Sequence, residues 1–257
     1  KGTVFVNYFD RDYISIPKLL KEQGYYTYSM HANTGEFWNR NTMHKSLGYD
    51  KFYNKDSYTI DETKGLGLSD KSFFKQSVNI MKQVKEEENK PFYSLLIMLS
   101  NHTPFSDLAL MEDYKTTIDV TIDNQTVTRD YLNNTTMGNY LRSVHYADSA
   151  IGEFIDNLDK EGLLENTVLV IYGDHDARLD FEDFNLLYNY DPITDTIKTE
   201  NDVYKFLLGS YLKTSSSSLY GANFFYFGDL LGDTFFRSNK HNGGFTSLVI
   251  MNYDPNN

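Results

Sequence analysis

The stretch "FYSLLIML", residues 92 to 99, sets eight uncharged and mostly apolar residues in a row after Pro91. It is far too short to cross a bilayer, and it shows neither the alternation of a half-solvated strand nor a helical stripe. A run of this kind suits a strand buried on both faces, as in sheets covered by helices on both sides. Two further strand-like runs, "YYTYSM" at 25 to 30 and "TVLVIY" at 167 to 172, are separated from it by helical patterns. Pro17 stands in the first turn of one helix, ahead of Leu19 and Leu20, and Gly24 stops it. Asp70 is the expected cap of a second, which carries Phe74, Val78, Met81 and Val84 at helical spacing through residue 88. Leu141, Val144, His145, Asp148, Ile151, Ile155 and Leu158 trace one side of a third over 139–160, closed by Gly162. Such alternation predicts an α/β fold with a mainly parallel sheet sandwiched by helices. "GGFTSLVIMNYD" near the end is expected to add a small C-terminal sheet.

The three strand-like runs lead into His31, His102 and His175. In open α/β sheets ligands bind in the crevice at the carboxyl ends of the strands, so parallel neighbours would point these imidazoles into one crevice. "IYGDHDARL" delivers Asp174 and His175 after Gly173. A carboxylate and a neutral imidazole suit Mn²⁺ or Zn²⁺, but a polar turn with Asp174 capping the next helix explains the pattern as well. Asp176 reads as an outer neighbour or a solvated side chain. His102, in "LSNHTPF", could serve a phosphate oxygen or a leaving group. In "MHANTGEFWNR", Arg40 offers a planar fork and Trp38, the single tryptophan, a flat wall for a polyol. The plainer alternative packs Trp38 in the core and leaves Arg40 on the surface. His145 and Asp148 read as packing residues, and His44 and His241 have no supporting context.

Several classes are excluded or disfavoured. A formal charge of −12 repels nucleic acid phosphates and an anionic bilayer. No cysteine is present, which removes thiolate ligands and cysteine nucleophiles. The nucleophile elbow, the Walker loop, the H-E-x-x-H helix and the dinucleotide fingerprint are all absent.

Taken together, "MHANTGEFWNR", "GYDKFY", "LSNHTPF" and "IYGDHDARL" occur in an order and spacing that resembles lipoteichoic acid synthases and related sulfatase-like phosphoglycerol transferases of the alkaline phosphatase superfamily. The resemblance covers about residues 1 to 190 and implies that Asp174 and His175 bind a metal. The ion would be Mn²⁺, with Mg²⁺ or Zn²⁺ as alternatives. It further implies that His31, Trp38, Arg40 and His102 line a glycerol-phosphate pocket and that His102 assists proton transfer. The donor would be the head group of phosphatidylglycerol, and the acceptor a polyglycerol-phosphate chain or a glycolipid. A nucleophilic threonine and a metal-binding glutamate would lie upstream of the segment that "KGTVFVNYFD" resembles, and neither is in these 257 residues.

The chain is therefore expected to be a fragment, inactive alone, of a monomeric enzyme on the extracellular face of a bacterial plasma membrane. Membrane attachment would come only through helices upstream. Residues 1–203 would form a sulfatase-like catalytic domain lacking its N-terminal part. Residues 204–257, with the low-complexity "KTSSSSLYG", match the family poorly. The competing readings are a sulfatase or phosphodiesterase of the same superfamily, and a non-catalytic glycerol-phosphate binding module.

Overall fold

A computed structural model describes residues 4–105, 114–173, 177, 179–198 and 246–252. In chain order these form α1 (Val4–Asn7), α2 (Ile16–Glu22), β1 (Tyr26–Met30), α3 (Arg40–Ser46), β2 (Lys51–Tyr53), β3 (Thr63–Lys64), β4 (Gly67–Leu68), α4 (Asp70–Glu88) and β5 (Phe92–Ile97). There follow β6 (Ile118–Ile122), β7 (Gln125–Arg129), α5 (Thr136–Lys160), β8 (Thr167–Gly173), α6 (Phe181–Asn189), β9 (Tyr190–Asp191), β10 (Thr196–Ile197) and β11 (Thr246–Asn252). The chain divides into two compact units, one of residues 1–100, 149–172 and 246–257, the other of 101–148 and 173–245.

The first unit holds a five-stranded sheet in the order β2-β1-β5-β11-β8, in an α/β architecture flanked by helices. β1 is parallel to β2 and to β5, with Tyr26 opposite Phe92 and Met30 opposite Leu96. β5 is buried almost throughout, as its unbroken apolar run requires. Its second edge is filled by β11, antiparallel, with Ser247 opposite Ile97 and Asn252 opposite Phe92. This corrects the expected small terminal sheet. "TSLVIMN" is itself a strand suited to burial, and in a central place it satisfies the backbone groups that β5 would otherwise leave unpaired. Ile250 of β11 is fully buried there.

Local sequence explains the helices. The Ser15 side chain accepts from the Lys18 N–H at the start of α2, Pro17 lies in its first turn, and Gly24 leaves it at φ +86°. The cap of α4 is Ser69 rather than Asp70, which stands one residue inside the helix. Phe73, Phe74, Val78, Met81 and Val84 form the buried stripe of α4, and Phe74 stacks on Phe154 of α5 with centroids 4.4 Å apart.

The second unit has its own core, with Phe105, Leu132, Met137, Tyr140, Val144 and Ala177 at its centre. The polar stretch after residue 113 contains the β6–β7 hairpin, turned through Asp123 and Asn124, both at positive φ. Gly138, in the first turn of α5, packs so closely that an added Cβ would sit 1.9 Å from the Leu132 carbonyl oxygen. That neighbour is backbone and cannot swing aside. Gly138→Ala is therefore expected to lower stability by about 1–3 kcal/mol in a urea melt, against near-neutrality for Gly152→Ala, where the added methyl meets open space.

Candidate functional site

β1 and β5 are parallel neighbours, so their carboxyl ends lie at one edge of the sheet. His31 follows β1 directly and is fully buried. Its Nδ1 lies 2.9 Å from the Ile97 carbonyl oxygen at the end of β5. A carbonyl can only accept, so Nδ1 carries the proton, and in the neutral ring Nε2 is the basic nitrogen.

The segment leaving β1 turns through two residues in the left-handed region, Trp38 (φ 58°, ψ 22°) and Asn39 (φ 54°, ψ 35°). For a bulky aromatic this costs roughly 1–3 kcal/mol. Trp38 is 46% exposed and meets Phe37 edge-on, so the core-packing alternative does not hold. Arg40, expected on the surface in that alternative, is instead half-buried. Its guanidinium lies over the Phe37 ring at 5.1 Å and donates to the Thr34 carbonyl. Burial lowers its pKa to about 10, so it remains a cation at neutral pH.

His44 shows no motif in the sequence, yet it is buried beside these residues. Its Nδ1 is 2.6 Å from the Ser29 hydroxyl, and its ring stacks on Phe52 at 4.4 Å. Burial, and secondarily the Arg40 cation, push its pKa down to about 4. An unfolded chain takes up this proton near 6.5, so the stability His44 contributes is complete above 6.5 and is lost as pH falls toward 4. The advantage of wild type over His44→Gln in urea midpoints is expected to shrink by about 3 kcal/mol between pH 7 and 4, at ~1.4 kcal/mol per unit.

At the exit of β5, the fully buried Asp70 carboxylate accepts from the Leu99 N–H at 2.8 Å and the Ser100 N–H at 3.1 Å. The Asp70 N–H in turn donates to Ser100 Oγ at 3.0 Å. Burial raises the Asp70 pKa to about 6, against the pull of these hydrogen bonds and of the buried Lys64, so at neutral pH the carboxylate is mostly ionised.

His102 lies two residues beyond, in the second unit, half-buried, with Nδ1 donating to the Thr103 carbonyl. Its basic nitrogen is thus also Nε2. Beside it, Asn101 is buried, and its Oδ1 has no hydrogen-bond partner among the described residues. His145 is exposed against Tyr114 rather than packed on the apolar side of α5, while Asp148 is partly buried.

His31, Trp38 and Arg40 thus share the first unit and His102 belongs to the second. Asp174, His175 and Asp176 lie outside the described residues, as does His241. The helix after β8 is capped by Asp180 in a reciprocal box with Asp183, so the capping role that would have explained Asp174 is already filled. Among the described residues no three histidine or acidic side chains gather as a metal set.

The sulfatase family model matches residues 3–225. Lipoteichoic acid synthase 2 of Bacillus subtilis is 37% identical over 177 residues, covering 68% of this chain and 25% of the relative. The lipoteichoic acid synthase of Staphylococcus aureus is 37% identical over 180 residues, with the same coverages of 68% and 25%. The chain therefore spans about a quarter of the length of these relatives. Among solved structures, the lipoteichoic acid synthase LtaP from Listeria monocytogenes superposes with a TM-score of 0.58 at 30% identity, over 77% of this chain and 48% of that one. An alkaline phosphatase superfamily protein from Vibrio parahaemolyticus gives 0.50 at 25% identity, over 76% and 42%.

Proposed function

Because the chain belongs to the sulfatase family, in the alkaline phosphatase superfamily, and is similar to lipoteichoic acid synthases, we propose that it forms part of a phosphoglycerol transferase. In the proposed reaction an upstream threonine hydroxyl attacks the phosphorus of phosphatidylglycerol. The threonine Oγ–P bond forms as the bond to the diacylglycerol oxygen breaks, and that oxygen takes a proton. A hydroxyl of the polyglycerol-phosphate chain or glycolipid then attacks the same phosphorus, and the threonine oxygen leaves. Residues 1–203 are the catalytic part, and the reaction takes place at the extracellular face of the membrane. No helix among the described residues is long and apolar enough to cross a bilayer.

The observation that supports this reading is the buried His31 at the carboxyl end of β1, tied at Nδ1 to the Ile97 carbonyl of β5, in the same unit as the Arg40 cation and the exposed Trp38. In this reading Nε2 of His102 exchanges a proton with the leaving or attacking oxygen, and Nε2 of His31 meets a glycerol hydroxyl or phosphate oxygen. Arg40 supplies a permanent cation for the phosphodiester in a protein of net charge −12. The exposed Trp38 ring supplies a flat surface for the glycerol backbone. Asp174 and His175 would hold Mn²⁺, or Mg²⁺ or Zn²⁺, since one carboxylate and one imidazole are a suitable donor pair. When bound, the ion supplies neutralising charge at the phosphorus oxygens.

The test is the complete reading frame containing this sequence, assayed with labelled phosphatidylglycerol and Mn²⁺. Diacylglycerol release coupled to chain growth is expected. Free glycerol phosphate as the sole second product would replace the transferase by a phosphodiesterase, and hydrolysis of a sulfate ester alone would replace it by a sulfatase. The isolated 257 residues are expected to show no turnover and only weak Mn²⁺ binding by calorimetry, because two ligands leave most of the ion's coordination to water. Tight stoichiometric binding would overturn that expectation.

A further inference from the structure

We propose that Asp70 is a positioning residue for His102, holding the last backbone amides of the β5 exit so that the following loop presents its imidazole in one place. The inference rests on the role given above to His102. Ser69 already caps α4 with its side chain, so Asp70 is not needed as the cap. Placing a carboxylate in a fully buried position is costly unless its oxygens are satisfied. Here the satisfaction comes from across the fold. Both Leu99 and Ser100, 29 and 30 residues away, donate to it, and Ser100 Oγ receives the Asp70 N–H in return.

Charge-assisted bonds to two successive amides fix the plane of the chain, not only its distance. The first turn of α4 adds its positive dipole end, and the buried Lys64 adds a cation. Lys64 is itself 3.9 Å from Glu62, whose carboxylate accepts from the Ser69 hydroxyl. The β5 exit is thereby anchored to a helix and to the β3–β4 hairpin, two residues before His102. Neutral packing would hold a strand end equally well for stability. A buried ionised tie to consecutive amides is suited to holding it in register, and a displacement of about 1 Å at a reacting group can cost 10²-fold in rate.

The measurement is a double-mutant cycle in the complete protein with phosphatidylglycerol as donor. Asp70→Asn keeps the volume and one acceptor but turns an amino group toward an amide that needs an acceptor. Its expected effect is a fall in kcat of about 10–100-fold with KM changed less than about twofold, and a melting temperature lowered but still well above the assay temperature. In a His102→Ala background the same change should cost less than about twofold, since no imidazole remains to be placed. Equal losses in both backgrounds, or an unchanged kcat, would overturn the inference and leave the role of His102 standing. Full activity of His102→Ala alone would instead remove that role, and this inference with it. Should Asp70→Asn not fold, Ser100→Ala takes its place in the cycle, with the same non-additivity expected and additivity again decisive against it.

Discussion

Alanine at Asp174 or at His175 is expected to abolish Mn²⁺-dependent transfer in the complete protein, each single change being as severe as the pair. Loss of an outer-shell partner already costs roughly 10–100-fold in metal affinity or activity, and loss of a direct ligand must exceed it. The two should be non-additive because they act as a unit, so the second change removes a contact to an ion that is no longer held. Titration of Mn²⁺ separates this from misfolding: an intact ligand set saturates, whereas the variants should gain nothing across the same range while keeping the wild-type melting temperature without metal. Retained turnover in either would remove the metal assignment. Asp180 and Asp183 fill the first turn of α6, so Asp174 is not the cap of that helix.

Strands were legible because their pattern is local: "FYSLLIML" carries its two-sided burial on its face and "YYTYSM" is buried likewise, whereas "TVLVIY" forms its strand with Val168 and Val170 exposed. The stripe of α4 and the glycine stops after α2 and α5 are likewise properties of a few neighbouring residues. The partner of β5 was not legible, because β11 lies about 150 residues away and nothing in "TSLVIMN" distinguishes a central place from a separate sheet. Asp70 looked like a cap because Asp is a common cap. Its actual service to Leu99 and Ser100 depends on a tertiary contact that no spacing rule encodes. His44 escaped notice for the same reason, since its partners Ser29 and Phe52 lie on two different strands. Trp38 defies the general tendency of tryptophan to be buried. The left-handed backbone that turns it outward is visible only in three dimensions.

The two histidines should respond differently to truncation. His102→Ala is expected to lower kcat by about 10²–10⁴-fold, the range for losing a general acid or base. Its stability should change by less than the His31 variant's, because the ring is half-buried rather than fully buried. His31→Ala should also lose activity, but at a structural cost, since the fully buried ring ties the end of β1 to the Ile97 carbonyl of β5. Leaving that acceptor without its donor costs about 1–3 kcal/mol, and the emptied volume adds to it. His31→Asn sharpens the contrast: an asparagine amide can donate to the Ile97 carbonyl as Nδ1 does, but offers nothing in place of Nε2. Its melting temperature should therefore recover most of the alanine loss while activity stays low, with the defect chiefly in KM for the donor. If activity recovered along with stability, His31 would be a strand tie and no part of the glycerol-phosphate pocket, and the proton and phosphate chemistry would fall to His102 and Arg40 alone.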